Sequence, residues 1–165
     1  MKIIVCPLHD VEALIRLRQP SHIISLLSPS AQSPCFDEHT GERLELHFND
    51  ISTPMPGLVE PSEEHVLEIL DFASKATADD TIIVHCWAGV SRSTAAAYII
   101  RCAQTHDGQE VTLANQLRAQ APYATPNPAI VTIADRVLKR EGAMSRAIQH
   151  IGRGAETAWG SPFSY

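Results

Sequence analysis

Basic residues are in short supply in this chain: 13 Lys and Arg stand against 19 Asp and Glu, a net charge of -6 over 165 residues. Nucleic acid and anionic membrane surfaces both demand clustered Lys and Arg, so neither is an expected partner. Long apolar runs are missing too. No stretch approaches the ~20 apolar residues of a membrane span, and the first run, Ile3 to Val5, is too short for the core of a signal peptide. The expectation is a cytoplasmic protein without a membrane span. The four cysteines (Cys6, Cys35, Cys86, Cys102) include no C-x-x-C pair, which removes a zinc ribbon and a thioredoxin motif; in a reducing compartment they are thiols. No internal repeat is present. No metal and no cofactor are expected.

What the chain has is enough apolar content, 44%, for one full core at a length too short for two ordinary domains. Strand and helix signals alternate. "MKIIVCP" reads as a short buried strand, and "HDVEALIRLRQP" as a helix with Asp10 near its N-cap and Pro20 as its stop. "SHIISLL" is a second apolar strand. "ERLELHFNDI" alternates, with Leu44, Leu46 and Phe48 on one face, and is a third. "EPSEEHVLEILDFASKA" is an amphipathic helix, "TIIVH" a fourth strand, and "STAAAYIIRCAQ" a helix of strong helix formers. Helical segments follow at 113–120 and at about 129–150, with Gly142 as a break. This alternation predicts an α/β fold with a mostly parallel central sheet of about four to five strands flanked by helices. Residues 1–150 form a single catalytic domain in this reading, and 151–165 a C-terminal tail. The tail is Gly-rich, yet Trp159, Phe163 and Tyr165 are costly to leave in water; it is either free or docked on the body or on a second subunit. The oligomeric state is not legible.

The segment "HCWAGVSRS", from His85 to Ser93, sits between the fourth strand and the next helix. Ligands of open α/β sheets lie beyond the carboxyl ends of strands, and a loop entering a helix N-terminus is an anion site. Backbone N–H groups of Trp87, Ala88, Gly89, Val90 and Ser91 are expected to turn inward as a nest, which Gly89 permits. The side chains of Trp87 and Val90 are expected to pack. A cysteine at the mouth of that nest feels the inward dipoles, the helix N-terminus and the Arg92 guanidinium, all of which favour thiolate. Arg92 offers a planar fork matched to two phosphate oxygens. Cys86 and Arg92 are thus a nucleophile and an oxyanion clamp about one phosphate apart. Ser93 is placed either to donate to the Cys86 sulfur as it leaves or to cap the helix. His85 is either a brace for the loop through a ring N–H or a satisfied core residue.

"HCWAGVSRS" resembles the His-Cys-x-x-Gly-x-x-Arg-Ser/Thr signature of the cysteine-dependent protein tyrosine phosphatases, and its "AGVSRS" ending resembles the dual-specificity branch. The resemblance implies hydrolysis of phosphate monoesters through a phosphocysteine intermediate. The substrate it implies is a phosphorylated protein, with phosphotyrosine first and phosphoserine or phosphothreonine beside it, or a small phosphate ester. It also implies a general acid thirty-odd residues upstream. Asp50, at the end of the third strand and on the same sheet edge if the strands are parallel, is the best candidate. Asp37 sits in a loop before that strand, Asp71 inside a helix, and Asp79 and Asp80 at the far end of the fourth strand. "TPNPAI" resembles the Pro-Asn segment that opens a late helix in the dual-specificity enzymes, where Asn127 would brace the loop or position water; a plain helix cap is the other reading. Two features depart from the pattern. The segment after Asp50, "ISTPMPGLVEP", holds three prolines, and no counterpart of the phosphotyrosine-recognition loop of the large enzymes is present, which implies a shallow pocket.

Rival readings are a catalytically weak phosphate-binding module, a phosphoinositide or small-molecule phosphatase, a sulfurtransferase, and a metal site built from His85, Cys86, Cys102 and His106. The absence of lysine between Cys86 and Arg92 argues against polyphosphorylated inositides. Cys86 is also expected to oxidise reversibly. The first strand is expected to lie away from the fourth, so that Cys6 is a doubtful disulfide partner, and Cys102 lies far down the following helix.

Overall fold

Three of the strand segments are apolar at nearly every position, and such strands belong where a sheet is covered on both faces. The computed structural model, which describes residues 1–165, places them there. The elements run β1 (Lys2–Pro7), a short 3-10 turn (Leu8–Asp10), α1 (Val11–Arg18), β2 (His22–Leu27), β3 (Glu42–His47), α2 (Glu63–Ser74) and β4 (Thr81–Cys86), followed by α3 (Arg92–Ala103), α4 (Glu110–Gln120), α5 (Pro128–Val137), α6 (Ala143–Ile151) and β5 (Phe163–Ser164). The sheet order is β3-β2-β4-β1-β5. The first four strands are parallel, and β5 runs antiparallel along the outer edge of β1. The expected α/β class and mostly parallel sheet are what the chain adopts.

The expectation that β1 lies away from β4 is overturned. The two pair along their whole length, with Cys6 opposite His85 and Pro7 opposite Cys86. The physical reason is in the residues: Ile3, Ile4 and Val5, like Ile23, Ile24 and Ile82 to Val84, are buried on both faces and must be interior. β3, whose Glu42, Arg43 and Glu45 alternate with Leu44 and Leu46, is the edge. Strand alternation splits the core in two. Ile3, Val5, Ile24, Leu26, Ile82, Val84 and Cys86 face α2 to α6 in the main cluster. Ile4, Cys6, Ile23 and Ile83 face α1 with Val11, Leu14 and Ile15.

α3 is buried along almost its full length, and its fully buried Ala95, Ala96 and Ala97 add little bulk between it and the sheet and helices that surround it. That close approach fixes the loop at its N-terminus. The helical segment expected over about 129–150 is divided at the expected break, with α5 ending at Val137 and α6 starting after Gly142. The buried Asp135 carboxylate accepts from the Gly142 and Ser145 amides at 2.6 and 2.9 Å, capping α6 after the turn. α4 begins earlier than expected, at Glu110, because that buried carboxylate is paired with Arg140 at 3.0 Å. Arg140 also donates to the Cys102 and Thr105 carbonyls at the end of α3. The last residues dock on the body: Phe163 and Ser164 extend the sheet, and Tyr165 Oη donates to the Leu113 carbonyl at 2.8 Å.

Candidate active site

β4 ends at Cys86 and α3 starts at Arg92, so the five residues between them lie at the carboxyl edge of the sheet. Their conformation is fixed from outside. The Trp87 carbonyl accepts from the Leu8 amide, Ala88 from Gly160, Val90 from Thr125 and Ser91 from Asn127, at 3.3, 2.8, 3.0 and 3.3 Å. A planar trans peptide points its N–H opposite to its C=O. Tethering these carbonyls outward therefore turns the amides of Ala88, Gly89, Ser91 and Arg92 inward. No amide from Trp87 to Arg92 donates to any backbone group. Gly89 is required here: its φ is +71°, and a Cβ would lie 2.6 Å from the Pro7 nitrogen.

Cys86, at the head of this loop, is buried on the main-core side of the sheet, with its Sγ 3.2 Å from Ser93 Oγ. The Ser93 hydroxyl makes no cap bond, so of its two readings the sulfur contact is the one present. Arg92 is only 4% exposed. Its Nη1 is anchored on the Phe48 carbonyl at 2.9 Å and on Ser28 Oγ at 3.4 Å, while its Nε is buried with no hydrogen-bond partner. An unpaired guanidinium N–H in a low-dielectric position is costly unless an anion meets it.

Asp50 follows β3 and, because β3, β2 and β4 are parallel, reaches the same edge. Its Oδ1 accepts from Ser91 Oγ at 2.7 Å and from Asn127 Nδ2 at 2.8 Å, and its Oδ2 lies 3.9 Å from Arg92 Nε. Asn127 makes both a helix cap and contacts toward the loop. Its Oδ1 caps α5 by accepting from the Ala129 and Ile130 amides, its Nδ2 ties down Asp50 and the Ile51 carbonyl, and its backbone N–H braces Ser91. Asn49 Oδ1 accepts from the Val59 amide at 2.8 Å and pins the other end of the proline-containing segment. Asp37 is elsewhere, bonded to Cys35 in a small cleft against α1. Asp71 pairs with Lys75 on α2, and Asp80 caps Thr77 before β4.

His85 faces the other side of the sheet from Cys86, as strand alternation requires. Its Nε2 pairs with Ser25 Oγ at 2.7 Å, its ring stands edge-on to Phe36, and its Nδ1 has no partner. Burial, with the Arg43 charge beside it, pushes its imidazole down to about 3, so it is neutral. It ties β4 to β2 and does not reach the loop. The side chains of Trp87 and Val90 divide: Val90 is half-buried, whereas Trp87 is 60% exposed and packs on Trp159 at 5.6 Å between ring centroids.

A cleft of about 380 Å³ opens beside Arg92, lined by Leu8, Leu27, Ala31, Gln32 and Trp87. Sequence reasoning missed Ser28, the Phe48 carbonyl and the Trp159–Gly160 contact. The first two are set by strand register, and the only hint of the third was a cluster of aromatics in an otherwise Gly-rich tail.

No protein-family model matches the sequence, and no curated protein matches it. Its fold matches solved phosphatases. PTPMT1 superposes with a TM-score of 0.62 at 16% identity, covering 89% of this chain and 94% of that one. DUSP15 gives 0.59 at 19% identity, covering 90% and 89%. The Yvh1 phosphatase domain from Chaetomium thermophilum gives 0.58 at 16%, covering 86% and 93%. The chain therefore has the fold of the dual-specificity-like protein tyrosine phosphatases.

Proposed function

We propose that the protein is a cysteine-dependent phosphatase that hydrolyses phosphate monoesters, aryl esters such as phosphotyrosine foremost. The observation that carries this is the coincidence, in the loop that Cys86 opens, of unpaired inward amides and the buried Nε of Arg92, which has no hydrogen-bond partner and only the Asp50 carboxylate 3.9 Å away. Three phosphoryl oxygens fit such a set of donors, and charge that develops on them is met by groups already oriented.

In the proposed reaction the Cys86 thiolate attacks phosphorus as the P–O ester bond breaks. The leaving oxygen takes its proton from Asp50, which is held over the loop by Ser91 and Asn127. Water then attacks the phosphocysteine, Asp50 takes back a proton, and the S–P bond breaks. Ser93 Oγ, 3.2 Å from the sulfur, donates to the departing thiolate. Phosphate and an alcohol or phenol leave, and the enzyme is restored.

The preference for aryl esters rests on the cleft beside Arg92, where Leu8, Leu27, Ala31 and Trp87 offer apolar contact and no added cation. One similar fold, PTPMT1, was solved in complex with PI(5)P, and it matches this chain at a TM-score of 0.54. Polyphosphorylated inositides nonetheless suit this loop poorly, since Trp87 to Ser91 contain no lysine. The test is a panel of phosphotyrosine, phosphoserine and phosphothreonine peptides with inositol lipids, run with wild type and Cys86→Ser. Turnover of the aryl esters, insensitive to chelator, blocked by vanadate and lost in the variant, is expected. A phosphoinositide preferred over every phosphotyrosine peptide would overturn the ranking, and activity retained by Cys86→Ser would overturn the mechanism.

A further inference from the structure

Of the four carbonyls that hold the phosphate loop open, three are tethered by residues at 8, 125 and 127, within the body of the fold, and one by the C-terminal segment. The Gly160 amide donates to the Ala88 carbonyl at 2.8 Å. The peptide that this bond fixes is Ala88–Gly89, so its other end, the Gly89 N–H, is the group whose direction depends on residue 160. The segment is held against the loop by several further contacts. Trp159 packs on Trp87 and stands edge-on to His9 at 5.2 Å, the Ser161 amide donates to Tyr123 Oη at 2.9 Å, and Phe163 pairs with Val5 in β1. Gly160 is itself buried, and no larger residue fits. A Cβ there would lie 2.6 Å from Tyr123 Cε2 and 2.8 Å from the Gly89 carbonyl oxygen.

We infer that the C-terminal segment is a working part of the phosphate site, with Gly160 as a positioning residue: its N–H holds the Ala88 carbonyl outward and thereby aims the Gly89 N–H at the bound oxyanion. Gly160 touches neither phosphate nor sulfur. It acts through one peptide plane, which explains why a glycine buried against Tyr123 and Gly89 is placed so close behind the loop. The inference rests on the phosphate-loop reading of residues 86–92, and oxyanion binding tests it apart from catalysis.

Two variants separate the roles. Gly160→Ala drives a methyl group into the Gly89 carbonyl and Tyr123. Replacing the Trp159–Gly160 amide by an ester, by ligating a synthetic C-terminal segment, removes the N–H and adds no bulk. Both are expected to weaken tungstate binding, read by calorimetry, and to lower kcat/KM for p-nitrophenyl phosphate by about tenfold to a hundredfold, the range for misaiming one donor to a charged group. The Gly89 amide should lose most of its chemical-shift response to tungstate, which a loss of stability alone would not cause. Tyr165→Phe, which removes only the bond to the Leu113 carbonyl in the same segment, should leave both binding and turnover unchanged. If the wild type binds tungstate but hydrolyses no ester, the catalytic reading fails, and the binding arm still decides this inference. Tungstate affinity in the ester variant within about twofold of wild type would overturn it, as would a wild type that binds no oxyanion.

Discussion

Asp50→Asn removes one proton and little else. The amide oxygen of Asn can accept the bonds from Ser91 Oγ and Asn127 Nδ2, now 2.7 and 2.8 Å long, so the segment stays in place. What is lost structurally is the 3.9 Å approach of Oδ2 to Arg92 Nε. With the Asp50 side chain 35% exposed, solvent screening holds that pair to about 1 kcal/mol or less. Catalysis should suffer far more. A general acid contributes about 10²- to 10⁴-fold, or roughly 2.7 to 5.5 kcal/mol of barrier, when the leaving oxygen must be protonated. Steady-state turnover of a phosphotyrosine peptide, whose phenol is a poor leaving group, should fall by that factor in the variant. A dinitrophenyl phosphate, which departs as a stable phenolate, should fall much less. The basic limb of the pH profile of kcat/KM should flatten as well, because it reports loss of the acid's proton. Equal slowing of good and poor leaving groups, or barely any slowing, would refute the assignment. Asp37 could not then replace it, since it lies against α1.

Arg92→Lys should lose at least about a hundredfold in kcat/KM, because an ammonium cannot hold the Phe48 carbonyl and span two phosphate oxygens together; activity within about threefold of wild type would remove Arg92 from the role. His85 gives a stability prediction with a definite sign. Burial holds its folded-state value at about 3, below the ~6.5 of the unfolded chain, so only the unfolded state gains this proton between those values. Its contribution is therefore intact above pH ~6.5 and is lost on acidification, by up to about 1.4 kcal/mol per pH unit toward pH 3. Urea unfolding of His85→Asn should show a shallower loss between pH ~6.5 and ~4.5 than wild type; an equal slope would show that His85 is protonated in the fold. Mild peroxide should oxidise Cys86 to sulfenic acid or a sulfenamide without a disulfide to Cys6 or Cys102. Cys6 points to the other face of the sheet, and Cys102 lies near the far end of α3, some 15 Å along the helix axis. Mass spectrometry that found either disulfide would contradict this.

The loop from Cys86 to Arg92 was legible in the sequence because its chemistry is local: a strand, a glycine and a helix start within nine residues leave few conformations. The place of Asp50 on the same sheet edge was legible at one remove, through the parallel pairing of strands that alternate with helices. Strand order was misjudged on its decisive point, although the doubly apolar "KIIV" and "TIIV" segments carried the information that both strands are interior. What brings Ser28 to Arg92, Ser25 to His85 or Gly160 to Ala88 is sheet register and chain path. Register is fixed by the whole set of strand pairs, and no short stretch of sequence encodes it. Asn127 can cap α5 and hold Asp50 together because one amide side chain has a donor end and an acceptor end, and the fold uses each.

The most direct test of a phosphocysteine mechanism is to trap the intermediate. Ser93→Ala should slow breakdown of the S–P bond more than its formation, since the hydroxyl 3.2 Å from the sulfur assists departure of the thiolate. Acid quench of that variant during turnover of p-nitrophenyl phosphate, followed by peptide mass spectrometry, should find one phosphoryl group on the peptide containing Cys86. No adduct should form in Cys86→Ser. A phosphoryl group on another residue, or wild-type turnover that chelator abolishes and a divalent cation restores while Cys86 stays unmodified, would contradict the account.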